Sequence, residues 1–186
     1  MAKMLDSCLV RQCAPTLAGV KVGSLFCLEI ADGVLLCNIL ARWNKTLNVK
    51  GVFARVLAEK NGRYYIYVYR DCELERLSKI GEVQSFLKGF GYAEFDVESL
   101  LKFFKVRMAK SACFPHEVGV FLGYPLDDVR DFIVYGGKNY KRIGCWKVYN
   151  DVPNSMHIFE VYKKCQKIMA DMFERGVSLE RLTVAS

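Results

Sequence analysis

The chain has 186 residues, of which 52% are hydrophobic and 13% aromatic. This length supports one domain with a real core, and the composition excludes a disordered chain. The net charge of +7 favours an anionic partner or ligand without identifying it. No apolar run approaches the roughly 20 residues that a membrane-spanning helix needs. We therefore expect a single domain over residues 1–186 that has no part in a membrane.

The N-terminus and the cysteines predict a cytoplasmic protein. Lys3, Asp6 and Arg11 interrupt the apolar segment that a signal peptide requires. The eight cysteines are spread along the chain without a C-x-x-C pair. This spacing is typical neither of a zinc site nor of a disulfide scaffold, and most of the cysteines stand among apolar neighbours. We expect reduced thiols, no metal site and a cytoplasmic location.

The first part of the chain predicts two helices and a strand. Residues 4–13 favour a short helix that Pro15 brings to an end, after which another turn begins. A strand is expected over residues 24–30, and an apolar pattern at helical spacing predicts a helix over residues 33–43.

A hairpin is the clearest prediction for the sheet. Asn61 and Gly62 separate two β-rich runs, over residues 52–59 and 63–70, and Asn-Gly is the strongest short hairpin signal. Three tyrosines alternate with apolar residues in the second run, so both faces of that strand should be covered. The tyrosine row is a candidate stacking platform, but packing under helices with hydroxyls reaching water is favoured.

The stretch FPHEVGVFLGYPLDDVRDFI over residues 114–133 predicts two short helices joined at Gly123, a helix-turn-helix pattern. Gly119 occupies the position where the second helix would cross the first. A DNA reader would use the start of the second helix for base edges, but Asp127 and Asp128 stand there and phosphates repel them. We expect a structural corner, and sequence-specific DNA reading is not expected.

The fold class follows from the remaining elements. Asp96 predicts the start of a strong helix, a strand is expected over residues 144–149, and a long helix should start near Pro153. Helices outnumber strands, and the hairpin implies antiparallel pairing. We predict an α+β fold, in which a small antiparallel sheet with a central hairpin is packed by several helices, including the helix-turn-helix-like corner.

Several segments resemble an uncharacterised bacterial family, the domain-of-unknown-function family numbered 3793. The segments are CAPTLAGVKVGSLF, YIYVYR, FPHEVGVFLGYPLDDVRDFI, GCWKVYND and YKKC. The resemblance runs over nearly the whole chain and implies one complete member of that family. It implies no activity, cofactor or catalytic residue, so function has to be argued from residue chemistry.

Cys13 is the best thiol candidate for catalysis or ligation. It lies near the end of the predicted first helix, beside the small residues Ala14, Ala18 and Gly19. A helix N-terminus is predicted just after it, and such a position lowers a thiol pKa. No Cys–His spacing in the chain compels a dyad.

His116 is the most interesting titratable residue, because it lies at a predicted helix start beside Glu117. A histidine there can ligate a metal or act as an acid or base, with Glu117 as a candidate partner. The other histidine is His157, and the H-E-x-x-H zinc pattern is absent. A capping or hydrogen-bonded structural role is favoured, and a haem ligand remains an alternative.

A basic and aromatic segment is the third candidate. Its members combine positive charge with aromatic rings, and they are Lys138, Tyr140, Lys141, Arg142, Trp146, Lys147 and Tyr149. The combination suits nucleotides, flavins, haem-like molecules or single-stranded nucleic acid. Neither glycine-rich phosphate motif is present. A solvated loop followed by a core strand is the simpler interpretation.

Our leading hypothesis is a small cytosolic binding or regulatory protein. It would take an anionic ligand, nucleotide-, flavin- or haem-like, or a protein partner on the basic and aromatic segment. The alternative is an enzyme that depends on Cys13 or His116. Nucleic-acid binding is a weaker alternative, and the sequence identifies neither a cofactor nor the oligomeric state.

Overall fold

The computed structural model describes residues 2–30, 32–110 and 114–186 and has an α+β fold. Its main sheet is antiparallel, with β3 between the two other strands. These strands are β1 (Gly23–Glu29), β2 (Val52–Lys60) and β3 (Arg63–Arg70), and a second hairpin consists of β4 (Arg142–Ile143) and β5 (Lys147–Val148). The helices are α1 (Ala2–Leu17), α2 (Gly33–Leu47), α3 (Asp71–Ser78), α4 (Gly81–Lys88), α5 (Val97–Lys110), α6 (Val118–Phe121), α7 (Leu126–Val134), α8 (Val152–Glu174) and α9 (Leu179–Leu182).

The predicted β2–β3 hairpin is confirmed. Asn61 and Gly62 have φ angles of 53° and 73°, the left-handed values that a two-residue hairpin turn needs. Lys60 pairs with Arg63 directly across this turn. The predicted strand after residue 23 is also confirmed, because β1 pairs antiparallel with β3.

The first helix is longer than predicted. We expected Pro15 to end it, but α1 continues to Leu17 with Pro15 inside its last turn. A proline near a helix C-terminus removes only one backbone hydrogen bond, and the turn still closes. The Ala18 amide donates to the Ala14 carbonyl at 2.8 Å, and the Val20 amide donates to the Pro15 carbonyl at 3.0 Å.

Helices cover both faces of the sheet, as the tyrosine pattern predicted. Ile66 and Val68 pack into a core with α1 and α2. Tyr67 and Tyr69 pack on the other face, in a core built largely from α5, α6 and α7. We expected the tyrosine hydroxyls to reach water, and this is wrong for Tyr67, which is buried and donates to the Phe121 carbonyl at 2.6 Å.

The helix-turn-helix-like corner is present, although its first helix is short. α6 begins at Val118, after a turn in which the Val118 amide donates to the Pro115 carbonyl. Gly123 has a φ of +74°, which suits glycine. A Cβ on Gly119 would lie 2.7 Å from Cγ2 of Val129, so the two helices cross where a side chain is absent.

The predicted strand over residues 144–149 is largely wrong. Only Lys147–Val148 is a strand, and it pairs with Arg142–Ile143 as a short hairpin. The Gly144 amide donates to the Trp146 carbonyl at 3.0 Å and closes the turn. The Tyr149 amide donates to the Asp128 carboxylate instead of to a neighbouring strand, so the ladder ends there.

The longest helix is α8, whose N-terminus is capped by Asp151 and whose length packs along α1. Within the part of the chain that the structure describes, no helix combines the length and the apolar character needed to cross a bilayer.

Candidate functional site

A cavity of about 480 Å³ lies between the corner and the β4–β5 hairpin. This volume is within the range of small-molecule sites. The corner and the residues just before it contribute Pro115, His116, Val118, Gly119, Val129 and Phe132, among others. The hairpin contributes Ile143, Gly144, Cys145, Trp146 and Lys147. We refer to this cavity as the first cavity.

Trp146 forms a fixed wall of the first cavity. Its indole Nε1 donates to Oδ2 of Asp128 at 2.8 Å. The ring stacks on Tyr124 with centroids 5.0 Å apart and meets Phe159 edge-on at 4.5 Å. These contacts hold the indole in one orientation, and its exposed fraction is only 8%. The wall therefore exists before any ligand binds.

Asp128 holds this wall in place, and the sequence analysis missed its role. It lies in the first turn of α7, where the sequence analysis placed it beside Asp127 without assigning it a contact. It is 2% exposed and also accepts hydrogen bonds from the Tyr149 and Asn150 amides, both at 2.9 Å. The one sequence signal was its spacing of four residues from Phe132, which places both on the cavity side of α7.

Lys147 is the only lysine or arginine among the described residues that line the first cavity. Its Nζ donates to the Gly137 carbonyl at 2.7 Å and lies 5.0 Å from the Tyr140 ring and 5.6 Å from the Phe132 ring. None of the ion pairs found in residues 2–30, 32–110 and 114–186 includes it. A positive charge without a carboxylate partner at an apolar cavity favours an anionic ligand.

His116 and Glu117 point to different environments, although they are neighbours in sequence. His116 is exposed and lines the first cavity, and its ring meets Phe132 at 5.5 Å. Glu117 is 0% exposed, and its carboxylate accepts hydrogen bonds from Arg107 at 2.7 and 3.3 Å. The structure therefore does not bring the two together as an acid–base pair.

Cys13 lies away from the first cavity. It is fully buried in the core that α1 forms with the sheet, and it is absent from the residues that line the cavity. Burial raises the pKa of its thiol well above the ordinary value, so the thiolate that a nucleophile needs is disfavoured. The thiol that does line the cavity is Cys145, whose pKa is also raised by burial.

The rest of the basic and aromatic segment lies around the cavity. Lys138, Lys141 and Arg142 are exposed on the loop and on β4. Tyr140 is partly exposed and its ring lies beside Lys147. Tyr149 is buried and stacks on Tyr135 at 5.8 Å. The structure thus brings only Trp146 and Lys147 of this segment into the cavity wall.

A second cation lies behind the aromatic wall. Lys21 has its Nζ 5.6 Å from the Tyr124 ring and 5.5 Å from the Tyr162 ring. Burial lowers the pKa of Lys21, and the charge faces aromatic rings. Burial also disfavours the charged form of Tyr124 and raises the pKa of its hydroxyl to about 12.

Two further observations concern possible metal ligands and the cysteines. No group of three histidine, cysteine or acidic side chains suited to a metal occurs in the described ranges. The seven cysteines that the structure describes carry free thiols.

Comparison of the sequence with models of known protein families shows to which family the chain belongs. The profile described as "Protein of unknown function (DUF3793)" matches residues 9–183. The chain belongs to this family. The resemblance seen in the sequence segments is therefore confirmed, and the family description names no activity. No curated protein and no solved structure matches the chain.

Proposed function

We propose that this member of the family is a cytoplasmic binding protein whose first cavity takes an amphipathic anion. The apolar body of the ligand lies against Trp146 and Phe132, and its anionic group pairs with Lys147. The observation that carries the proposal is the combination of a preformed aromatic wall with one cation that lacks a carboxylate partner among the described residues. The cytoplasmic location is inferred from the spacing of the eight cysteines, which is not typical of a disulfide scaffold.

The lining of the cavity narrows the class of ligand. Most of its side chains are hydrocarbon or aromatic, and the Asp128 carboxylate is already occupied by hydrogen bonds. One ammonium group matches one carboxylate or sulfonate. A nucleotide fits less well than a flavin- or haem-like molecule, because the sequence has no glycine-rich phosphate motif to hold a phosphate chain.

Titration of the purified protein with 1-anilinonaphthalene-8-sulfonate tests this proposal. We expect saturable one-site binding and quenching of tryptophan fluorescence. Lys147→Met should weaken binding at least about tenfold, because a hydrogen bond to a charged group contributes about 1.5–3 kcal/mol. Lys141→Met is the matched control: this exposed lysine lies outside the cavity lining, so affinity should change less than about twofold.

A neutral ligand separates the role of the charge from that of the ring wall. N-phenyl-1-naphthylamine has the same rings without the sulfonate, so Lys147→Met should leave its affinity unchanged. Equal binding of the sulfonate by the wild type and the Lys147→Met variant would contradict the proposal.

A further inference from the structure

A second apolar cavity, of about 500 Å³, adjoins the first. It lies at the end of the tyrosine row, where Tyr65 is only half-buried while Tyr67 and Tyr69 are covered. Cys27, an exposed residue of the outer strand β1, pairs with Tyr65 across the sheet and lines the same cavity. Helices thus cover most of this face of the sheet. They leave it open at the edge strand β1, near Cys27.

Phe114 and Val118 line both cavities and are therefore the partition between them. Val118 is the first residue of α6, and the helix holds it in place. Phe114 is 49% exposed, and its ring makes an edge-on contact with Tyr65 at 5.3 Å. Because about half of Phe114 is exposed, rotation of its ring disturbs little packing, so Phe114 is the movable part of the partition.

Polarity changes along the two cavities in one direction. The first cavity has Lys147 and Asp128 in its wall, and the Asp128 carboxylate is already bonded to protein donors, which leaves the Lys147 ammonium for a ligand. Among the residues that the structure describes, no charged side chain lines the second cavity. A cation at one end and hydrocarbon at the other is the complement of a molecule with an anionic head and a long apolar tail.

We propose that the ligand is a single-chain amphipathic anion of the long-chain carboxylate class, and this rests on the proposed function of the first cavity. The carboxylate pairs with Lys147, and the tail passes beneath Phe114 into the second cavity. A flexible chain requires only the rotation of Phe114. A rigid plate wide enough to fill both cavities would also have to displace Val118 and the start of α6.

Competition titrations with decanoate and palmitate, below their aggregation concentrations, test the inference. Palmitate should bind the wild type about a hundredfold more tightly or better, because six further methylenes leave water. Cys27→Trp fills the second cavity. It should weaken the affinity for palmitate at least about tenfold and should change the affinity for decanoate less than about twofold. Cys37→Trp is the control: Cys37 is exposed on α2 and lines neither cavity, so both affinities should be unchanged.

Phe114→Ala provides a second test, which measures the rate of ligand binding. Phe114→Leu replaces it if the alanine variant does not fold. Removing the ring opens the partition, so the association rate of palmitate should rise more than that of decanoate, and an equal change for both would count against passage beneath Phe114. If Cys27→Trp weakens both carboxylates equally, or neither of them, the second cavity does not hold the tail and the inference is overturned. If the sulfonate probe and decanoate bind through Lys147 but palmitate gains nothing, this inference fails and the proposed function stands.

Discussion

At the scale of single residues, Asp128 organises the site, and the sequence analysis considered it only as a negative charge at the start of the second helix. Its carboxylate accepts hydrogen bonds from four donors, namely the Trp146 indole, the Tyr149 and Asn150 backbone amides and the Asn150 side-chain amide. It thereby fixes the wall of the first cavity and also ends the β4–β5 hairpin. The neighbouring Asp127 is exposed and forms an ion pair with Arg130, one turn further along α7.

Asp128→Ala should lower the free energy of unfolding by about 3 kcal/mol, because it leaves buried donors without an acceptor. Urea denaturation measures this change. Asp127→Ala is the matched control and should stay within about 0.5 kcal/mol, since its ion pair with Arg130 is exposed. Equal effects of the two substitutions would show that Asp128 does not anchor the wall.

Asp6 makes stability depend on pH. Burial alone would raise the pKa of Asp6, but hydrogen bonds from Arg42 and Trp43 outweigh it and hold the pKa below the ordinary 3.8. A folded-state pKa that is lowered stabilises the fold above the unfolded-state value, and this contribution is lost as pH falls through the folded-state value. The relevant window therefore lies below about pH 4.

Asp6→Asn should lower the free energy of unfolding at pH 7 by about 1 kcal/mol, because the neutral amide loses the charge-assisted bonds to Arg42. The difference from the wild type should shrink as pH falls below 3.8, the ordinary value for the carboxyl. Urea denaturation at pH 7, 5 and 3 measures it. A difference that stays constant over this range would refute the assignment.

The sequence predicted which residues lie near the site better than it predicted where their side chains point. Trp146, Lys147 and His116 were candidates and do line the first cavity, because basic and aromatic side chains after a glycine-rich loop are a local signal. Glu117 was paired with His116 on adjacency alone, yet Arg107 draws it into the interior. Which way a side chain points depends on partners far along the chain, and no local pattern records them.

At the scale of elements, the residues of a turn predicted correctly the structures that depend on that turn alone. The β2–β3 hairpin was predictable because Asn61 and Gly62 specify their turn without help from the rest of the chain. The expected strand over residues 144–149 failed because α7, through Asp128, takes the backbone donors that a strand would use. The prediction that Pro15 ends α1 was wrong because the destabilisation of a helix by proline depends on the position of the proline, and Pro15 lies in the last turn.

The corner depends on the close crossing of its two helices. Gly119→Ala should lower the free energy of unfolding by about 1–3 kcal/mol, because the added methyl would lie 2.7 Å from Val129. Gly81→Ala is the control and should be neutral or slightly stabilising, since its added methyl would meet nothing within 4 Å. Thermal unfolding compares the two.

A double variant isolates the crossing itself. Val129→Ala removes the clashing methyl, so Gly119→Ala should cost less in that background than in the wild type. Additive effects would mean that the helices do not meet at this point.

At the scale of the whole molecule, the first cavity borders the core on the tyrosine face of the sheet, to which Val118, Tyr124 and Val129 of its lining belong. Its tryptophan wall belongs to a third, smaller cluster with Val148 and Tyr162. Substitutions at Lys147 should therefore alter binding without unfolding the sheet. The α+β class was predictable from the balance of helices and one strong hairpin, but the cavity was not, since it forms where residues 114–133 meet residues 143–147.

A crystal structure of the protein with 1-anilinonaphthalene-8-sulfonate tests the central claim most directly. We predict ligand density between Trp146 and Phe132, with a sulfonate oxygen within hydrogen-bond distance of the Lys147 Nζ. Density for the sulfonate at another site, or an empty first cavity at saturating ligand, would contradict the account.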